Sequence, residues 1–160
     1  MSCSGNAFPR SRVPIPIMHV VVIGALVENG AVLLVHRSPT RRAYPDLWDL
    51  PGGHVEAGES ERQALAREIH EEIGVHIVAE SSSRVGDLHL GSGEDAVHVA
   101  VWHVGAWVGA PTNCAPDEHD DIAWVATGEL GDLPLVHGGV VGLVRKVVGA
   151  AGFEPATPRL

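Results

Sequence analysis

The sequence predicts a layered α/β (α+β) domain in which a mixed sheet is covered by helices on two faces. Two observations carry this: runs of β-branched residues lie on both sides of one amphipathic helical segment, and a second apolar repeat at helical spacing comes late in the chain. A third sets the scale. With 160 residues, 45% of them hydrophobic and 19% charged, the chain has the length for one sizeable core and not for two.

Residues 1–16 carry Pro9, Pro14 and Pro16 and read as an extended N-terminal arm, ahead of one domain over 17–150. His19 to Val27 and Ala31 to Val35 are strands joined by Glu28-Asn29-Gly30, because Asn-Gly between β-branched runs is the strongest short hairpin signal. A polar loop over 37–46 contains Arg37, Arg41 and Arg42, and Leu47 to Leu50 forms a short strand entering Pro51-Gly52-Gly53. Ser60 with Gln63 is a capping pair that opens a helix, and Gly74 is its stop. Val75 to Ala79 and Val85 to Leu90 follow as strand segments, then Val97 to Val108 as one long strand. Pro111 to Asp121 reads as an acidic loop and Ile122 to Ala126 as a strand carrying Trp124. Val136, Val140, Leu143, Val144, Val147 and Val148 recur at helical spacing, leaving 151–160 as a tail.

A net charge of −9 argues against a nucleic-acid polymer as partner, since reading a phosphate backbone needs clustered Lys and Arg. Cys3 and Cys114 make no disulfide framework, which fits a reducing cytoplasm. Residues 1–16 lack an apolar segment of signal-peptide length, and the most apolar later stretch, His19 to Val27, is too short to span a bilayer. No membrane association is therefore expected.

The predicted helix over 60–74 places chemistry as well as structure. At 100° per residue, Leu65, Ile69 and Ile73 form one apolar stripe, and Glu68, Glu71 and Glu72 fall within an arc of about 100° beside it. Three like charges next to a buried face repel one another and call for a cation. Arg67 can pair with one carboxylate, with Glu59 the nearest candidate, whereas Mg²⁺ takes several oxygen ligands and keeps positions open for phosphate. The Gly52-Gly53 pair ahead of the helix lets the backbone approach such a ligand closely.

The run from Gly53 to Val75 resembles the Nudix box of the MutT-like Nudix hydrolases. It matches at Gly53, Glu59, Arg67-Glu68-Ile69, Glu71-Glu72, Gly74 and Val75, with no spacing altered. The resemblance implies an α/β/α sandwich with a mixed central sheet and a Mg²⁺-dependent pyrophosphohydrolase, with Mn²⁺ as a substitute ion. It carries metal binding onto Glu68, Glu71 and Glu72 together with the carbonyl of Gly52. Such an ion neutralises a diphosphate, orients it and activates a water for attack on phosphorus. Arg67 then orients a carboxylate of the site, and Glu59 is its partner or an outer ligand. The proton acceptor is Glu68 within the box or Glu118 in the later acidic loop, both patterns occurring in similar enzymes. Arg37, at the end of the second strand, stands where similar enzymes contact phosphate, and Gly53 brings backbone against substrate. Similar proteins occur as monomers and as homodimers.

Marks of the sub-classes point by elimination to a nucleoside triphosphate, oxidised or not, cleaved to monophosphate and pyrophosphate. An ADP-ribose type places a proline shortly after the box, where this chain has Leu90 and no proline before Pro111. A dinucleoside-polyphosphate type favours a tyrosine there, yet the single tyrosine is Tyr44. Leu33-Leu34-Val35-His36-Arg37-Ser38 echoes only part of a coenzyme A motif. The alternatives are therefore hydrolysis of ADP-ribose, a nucleotide sugar or coenzyme A, and a nucleotide sensor without catalysis, against which the complete acid set argues. An isopentenyl-diphosphate isomerase needs a core cysteine that neither Cys3 nor Cys114 supplies. The ten histidines read as surface or core residues, because no pair has the spacing and carboxylate company of a zinc site. The tryptophans read as core.

Overall fold

Asn29 and Gly30 both adopt left-handed backbone, φ 51° and 74°, which gives the reverse turn whose twist matches its strands. They join β1 (His19–Glu28) to β2 (Ala31–Arg37). The protein is described by a computed structural model over residues 19–150. The arm expected at 1–16, with Cys3, and the tail at 151–160 lie outside the described residues.

The remaining elements are β3 (Trp48–Asp49), β4 (Gly52–His54), α1 (Glu61–Ile73), β5 (His76–Ile77), β6 (Ser82–Leu90), β7 (Val97–Val104), β8 (Trp107–Val108), β9 (His119–Ala126) and α2 (Gly139–Ala150). Seven strands form one mixed sheet along β3-β2-β1-β7-β6, with β4 added on β1 and β9 on β2. The pairing β1·β7 is parallel, and the other ladders of this sheet are antiparallel. β1 meets β2 only at the turn and otherwise runs beside β4, so the hairpin splays open.

Alternation along the strands sends apolar side chains to two faces. Val22 and Leu26, Leu33 and Val35, Ala100, Trp102 and Val104 pack against Ala64, Leu65, Ile69 and Ile73 of α1. Ile23 and Ala25, Val32 and Leu34, Val99 and Val101 pack against Val140 and Val144 of α2. This is the two-faced sandwich expected.

Local signals account for α1. The Ser60 hydroxyl accepts from the Gln63 amide at 3.1 Å while the Gln63 side chain accepts from the Ser60 amide at 2.9 Å. Gly74 closes the helix in left-handed backbone at φ 73°, its N–H donating to the carbonyl of His70.

Three expectations change. The strand foreseen over Val97–Val108 breaks after Val104, because Gly105 and Ala106 donate to the Ser81 carbonyl and hydroxyl and so pass the chain from β6 to a two-stranded β5·β8 ladder. The turn at Gly52-Gly53 is itself a strand, paired with Val22 and Ile23. The acidic loop ends early, since His119 to Asp121 already belong to β9. A short 3₁₀ segment, Thr127–Asp132, buries Leu130, a single apolar residue too isolated to show a period.

Candidate active site

The sheet delivers β4 and the end of β2 beside the last turns of α1, and β9 begins at the same place. Gly53 of β4 lies so close to α1 that a Cβ there would stand 2.4 Å from Glu68 Cδ. A Cβ on Gly52 would stand 1.9 Å from the Val22 carbonyl oxygen. Gly53 is thus required for Glu68 to pack under the backbone, and Gly52 for β4 to lie against β1.

Arg67 organises the outer half of the cluster. Its Nε and Nη2 grip the Glu59 carboxylate in a two-pronged pair at 2.8 and 2.9 Å, Nη1 reaches Glu68 at 2.9 Å and Glu71 at 3.4 Å, and Nη2 also donates to the His54 carbonyl. The guanidinium therefore serves more carboxylates than the single partner expected, though it does not reach Glu72. Its hydrogen bonds hold the Glu59 carboxyl down to about 2. Glu71 is exposed at the rim, its side chain 57% accessible, against 17% for Glu68.

Glu72 lies inside, 4% exposed, with Oε2 accepting the Gly52 N–H at 3.0 Å. Burial pushes its carboxyl well up, reinforced by the charges of Glu68, Glu118 and Asp49. Burial also raises Glu68, and the opposing Arg67 bond does not cancel it. Asp49, half-buried on β3, is pushed up to about 7 by removal from water, although Arg37 and Arg41 pull the other way. Carboxylates with raised proton affinity concentrated in one place mark a candidate functional site.

Ligand atoms of Glu72, Glu118 and His119 all lie within 4.8 Å of one another. His119 is 2% exposed, and its Nδ1 is a buried polar atom with no hydrogen-bond partner among the described residues. Burial, with Arg41 and Arg37 nearby, pushes its imidazole down to about 4, so it is neutral and able to ligate. The residues present fit a divalent ion. Of the acids of α1, Glu72 joins this group, while Glu68 and Glu71 turn toward Arg67.

Arg37 uses Nε and Nη2 on the Ala43 and Tyr44 carbonyls, securing the loop in which Tyr44 and Asp46 hold positive φ of 52° and 59°. Arg41 stands 3.6 Å from Glu118, and the Ser38 amide donates to the Glu118 carbonyl. The loop expected to face substrate thus borders the acids. His119 is a core histidine, and its place against Glu72 depends on the β2·β9 ladder, where it opposes Arg37. Asp49 joins the group through its removal from water, which no local pattern announces.

A family model described as the NUDIX domain matches residues 18–142. A provisionally named 8-oxo-dGTP diphosphatase 2 of Mycobacterium tuberculosis is 35% identical over 139 residues, covering 82% of this chain and 92% of its own. A CTP pyrophosphohydrolase of Escherichia coli is 30% identical over 116 residues, 72% of this chain and 82% of its own. The crystal structure of a MutT NUDIX hydrolase from Burkholderia pseudomallei superposes with a TM-score of 0.69 at 29% identity, over 79% of this chain and 95% of that one.

Proposed function

The chain belongs to the NUDIX domain family, and on that premise we propose that it is a Mg²⁺-dependent pyrophosphohydrolase of nucleoside triphosphates, releasing monophosphate and pyrophosphate. Its enzymatic class is that of hydrolases acting on phosphoanhydride bonds, and its substrate is a small nucleotide. The preference for a triphosphate draws on relatives named for 8-oxo-dGTP and CTP. The observation that carries the reading is Glu72, a carboxylate buried beneath the Gly52 amide and crowded by further acids.

Glu68, Glu71 and Glu72, with the Gly52 carbonyl, would hold Mg²⁺, and Mn²⁺ would substitute. The ion supplies charge neutralisation and orientation to the phosphates. The rest belongs to the chain. Arg67 locks Glu68 in place through Nη1 and is itself braced by Glu59 and the His54 carbonyl, which makes it a positioning residue. Glu68 accepts the proton of the attacking water, kept aimed by its bond from Arg67. Glu118 is the second candidate acceptor. Arg37 has Nη1 left for a phosphate oxygen once Nε and Nη2 have secured the loop. Gly53 admits the phosphates to the backbone.

The hydrolase unit is assigned to 17–150, working in the cytoplasm without a nucleic-acid polymer as partner, as monomer or homodimer. No helix among the described residues is long and apolar enough to cross a membrane.

The test is pyrophosphate release with Mg²⁺ across triphosphates, oxidised triphosphates, ADP-ribose, nucleotide sugars and coenzyme A, against Glu71→Gln. Glu71 is exposed, so the substitution leaves the fold intact. Turnover of the triphosphates alone, lost in the variant, supports the reading. Metal-dependent binding without turnover anywhere would replace it with a sensor.

A further inference from the structure

We propose that Glu72, Glu118 and His119 form a mixed nitrogen–oxygen site that selects a transition-metal dication, with Mn²⁺ preferred over Mg²⁺. The inference rests on the reading of the α1 acids as a metal-binding face, with Glu72 common to both sets.

The three residues come from two elements held together by backbone, so the group is built before any ion arrives. Thr112 and Cys114 donate to the Ile73 and Glu72 carbonyls, stitching the loop to the end of α1. The Glu118 and His119 amides both donate to the Ala115 carbonyl, and Asn113 Nδ2 donates to the His119 carbonyl at 2.7 Å. The Ser38 amide holds the Glu118 carbonyl from the opposite side. Ligands at about 2.0–2.2 Å from a common ion lie roughly 3–4.4 Å apart, and the observed mutual limit of 4.8 Å needs only a small contraction.

The second observation is independent of the acids. His119 is 2% exposed and its Nδ1 has no partner among the described residues, although a buried polar atom ordinarily finds one. Of the other two ligands, Glu72 has Oε2 on the Gly52 amide, leaving Oε1 free of that bond. The Glu118 carboxylate, among the described residues, pairs with Arg41 at 3.6 Å, an ion pair long enough to yield to a dication. An imidazole among carboxylates changes selectivity, since Mg²⁺ holds to oxygen donors whereas later dications gain from nitrogen.

The experiment loads the purified full chain with Mn²⁺ alone and records pulsed electron paramagnetic resonance for imidazole nitrogen coupling, in wild type and in His119→Gln. Calorimetric titrations with Mn²⁺ and with Mg²⁺ accompany it. Coupling is expected in wild type and absent in the variant, with Mn²⁺ affinity reduced about tenfold or more and Mg²⁺ affinity within about threefold. Absence of coupling in wild type overturns the proposal, and that measurement does not depend on any variant folding. Coupling that persists in His119→Gln also overturns it, because another imidazole is then responsible. Coupling without nucleotide turnover leaves this site standing and removes the hydrolase reading. Turnover with Mg²⁺ and no coupling does the reverse.

Discussion

Gly53→Ala separates positioning of the helix acids from the stability of the strand that covers them. The backbone of Gly53 is not in the left-handed region, so alanine fits the ladder to Val22 without conformational strain. The new methyl would stand 2.4 Å from Glu68 Cδ and 2.6 Å from both oxygens. Ordinary contact begins near 3.4 Å, so the carboxylate must retreat by about 1 Å. Retreat opens the 2.9 Å bond to Arg67. Overpacking of this kind costs about 1–3 kcal/mol, which in a domain of this size lowers Tm by roughly 2–12 °C. Misplacement of a catalytic carboxylate by 1 Å lowers kcat by about 100-fold. Initial rates of pyrophosphate release give kcat and KM, and a thermal melt gives Tm. Gly58→Ala is the control, because Gly58 has φ +79° with nothing within 4 Å of a Cβ. It strains the backbone by about 1–2 kcal/mol without moving Glu68, so Tm falls while kcat holds. The reasoning is refuted if Gly53→Ala keeps kcat within about threefold of wild type, or if Gly58→Ala loses as much.

Arg67→Lys keeps the charge but loses the two-pronged grip on Glu59, and kcat should fall about 10- to 100-fold with KM little changed; an effect confined to KM would point to substrate contact instead. Asp49→Asn should stabilise the metal-free protein at pH 8. The native carboxyl is raised from 3.8 to about 7, so the folded state holds its proton more tightly than the unfolded state and wild-type stability falls as pH rises through that window. The gain is at most about 4 kcal/mol above pH 7 and disappears near pH 4, as urea melts at both pH values will test; an equal gain at both would disprove the cause. Ser60→Ala removes one half of the capping box and should cost about 1 kcal/mol, lowering Tm by roughly 2–4 °C with kcat unchanged.

How far the sequence led depended on the range of the interactions involved. Ser60, Gln63 and Gly74 act on their own helix, and Asn29-Gly30 on its own hairpin, so both were legible. The arc of Glu68, Glu71 and Glu72 follows from helical geometry alone. Which of these acids turns inward does not. Glu72 is drawn under β4 by the Gly52 amide and Glu68 packs beneath Gly53, whereas Glu71 stays exposed at the rim. The position of His119 beside Glu72 comes from a ladder with β2 and a loop tied to the end of α1, neither of which leaves a local pattern. The break at Gly105 was hidden for the same reason, since Ser81 supplies both its acceptors.

The division of the interior by the sheet has a bearing on how such a chain can diverge. Leu33 and Val35 point to the α1 side, while Val32 and Leu34 point to the α2 side. Substitutions among Val140, Val144, Val99 and Val101 are therefore absorbed on the far side of a continuous ladder from Glu68 and Glu72. One layer is free to drift through successive generations, altering whatever α2 and its neighbours present to solvent. The other stays answerable to the chemistry at its edge.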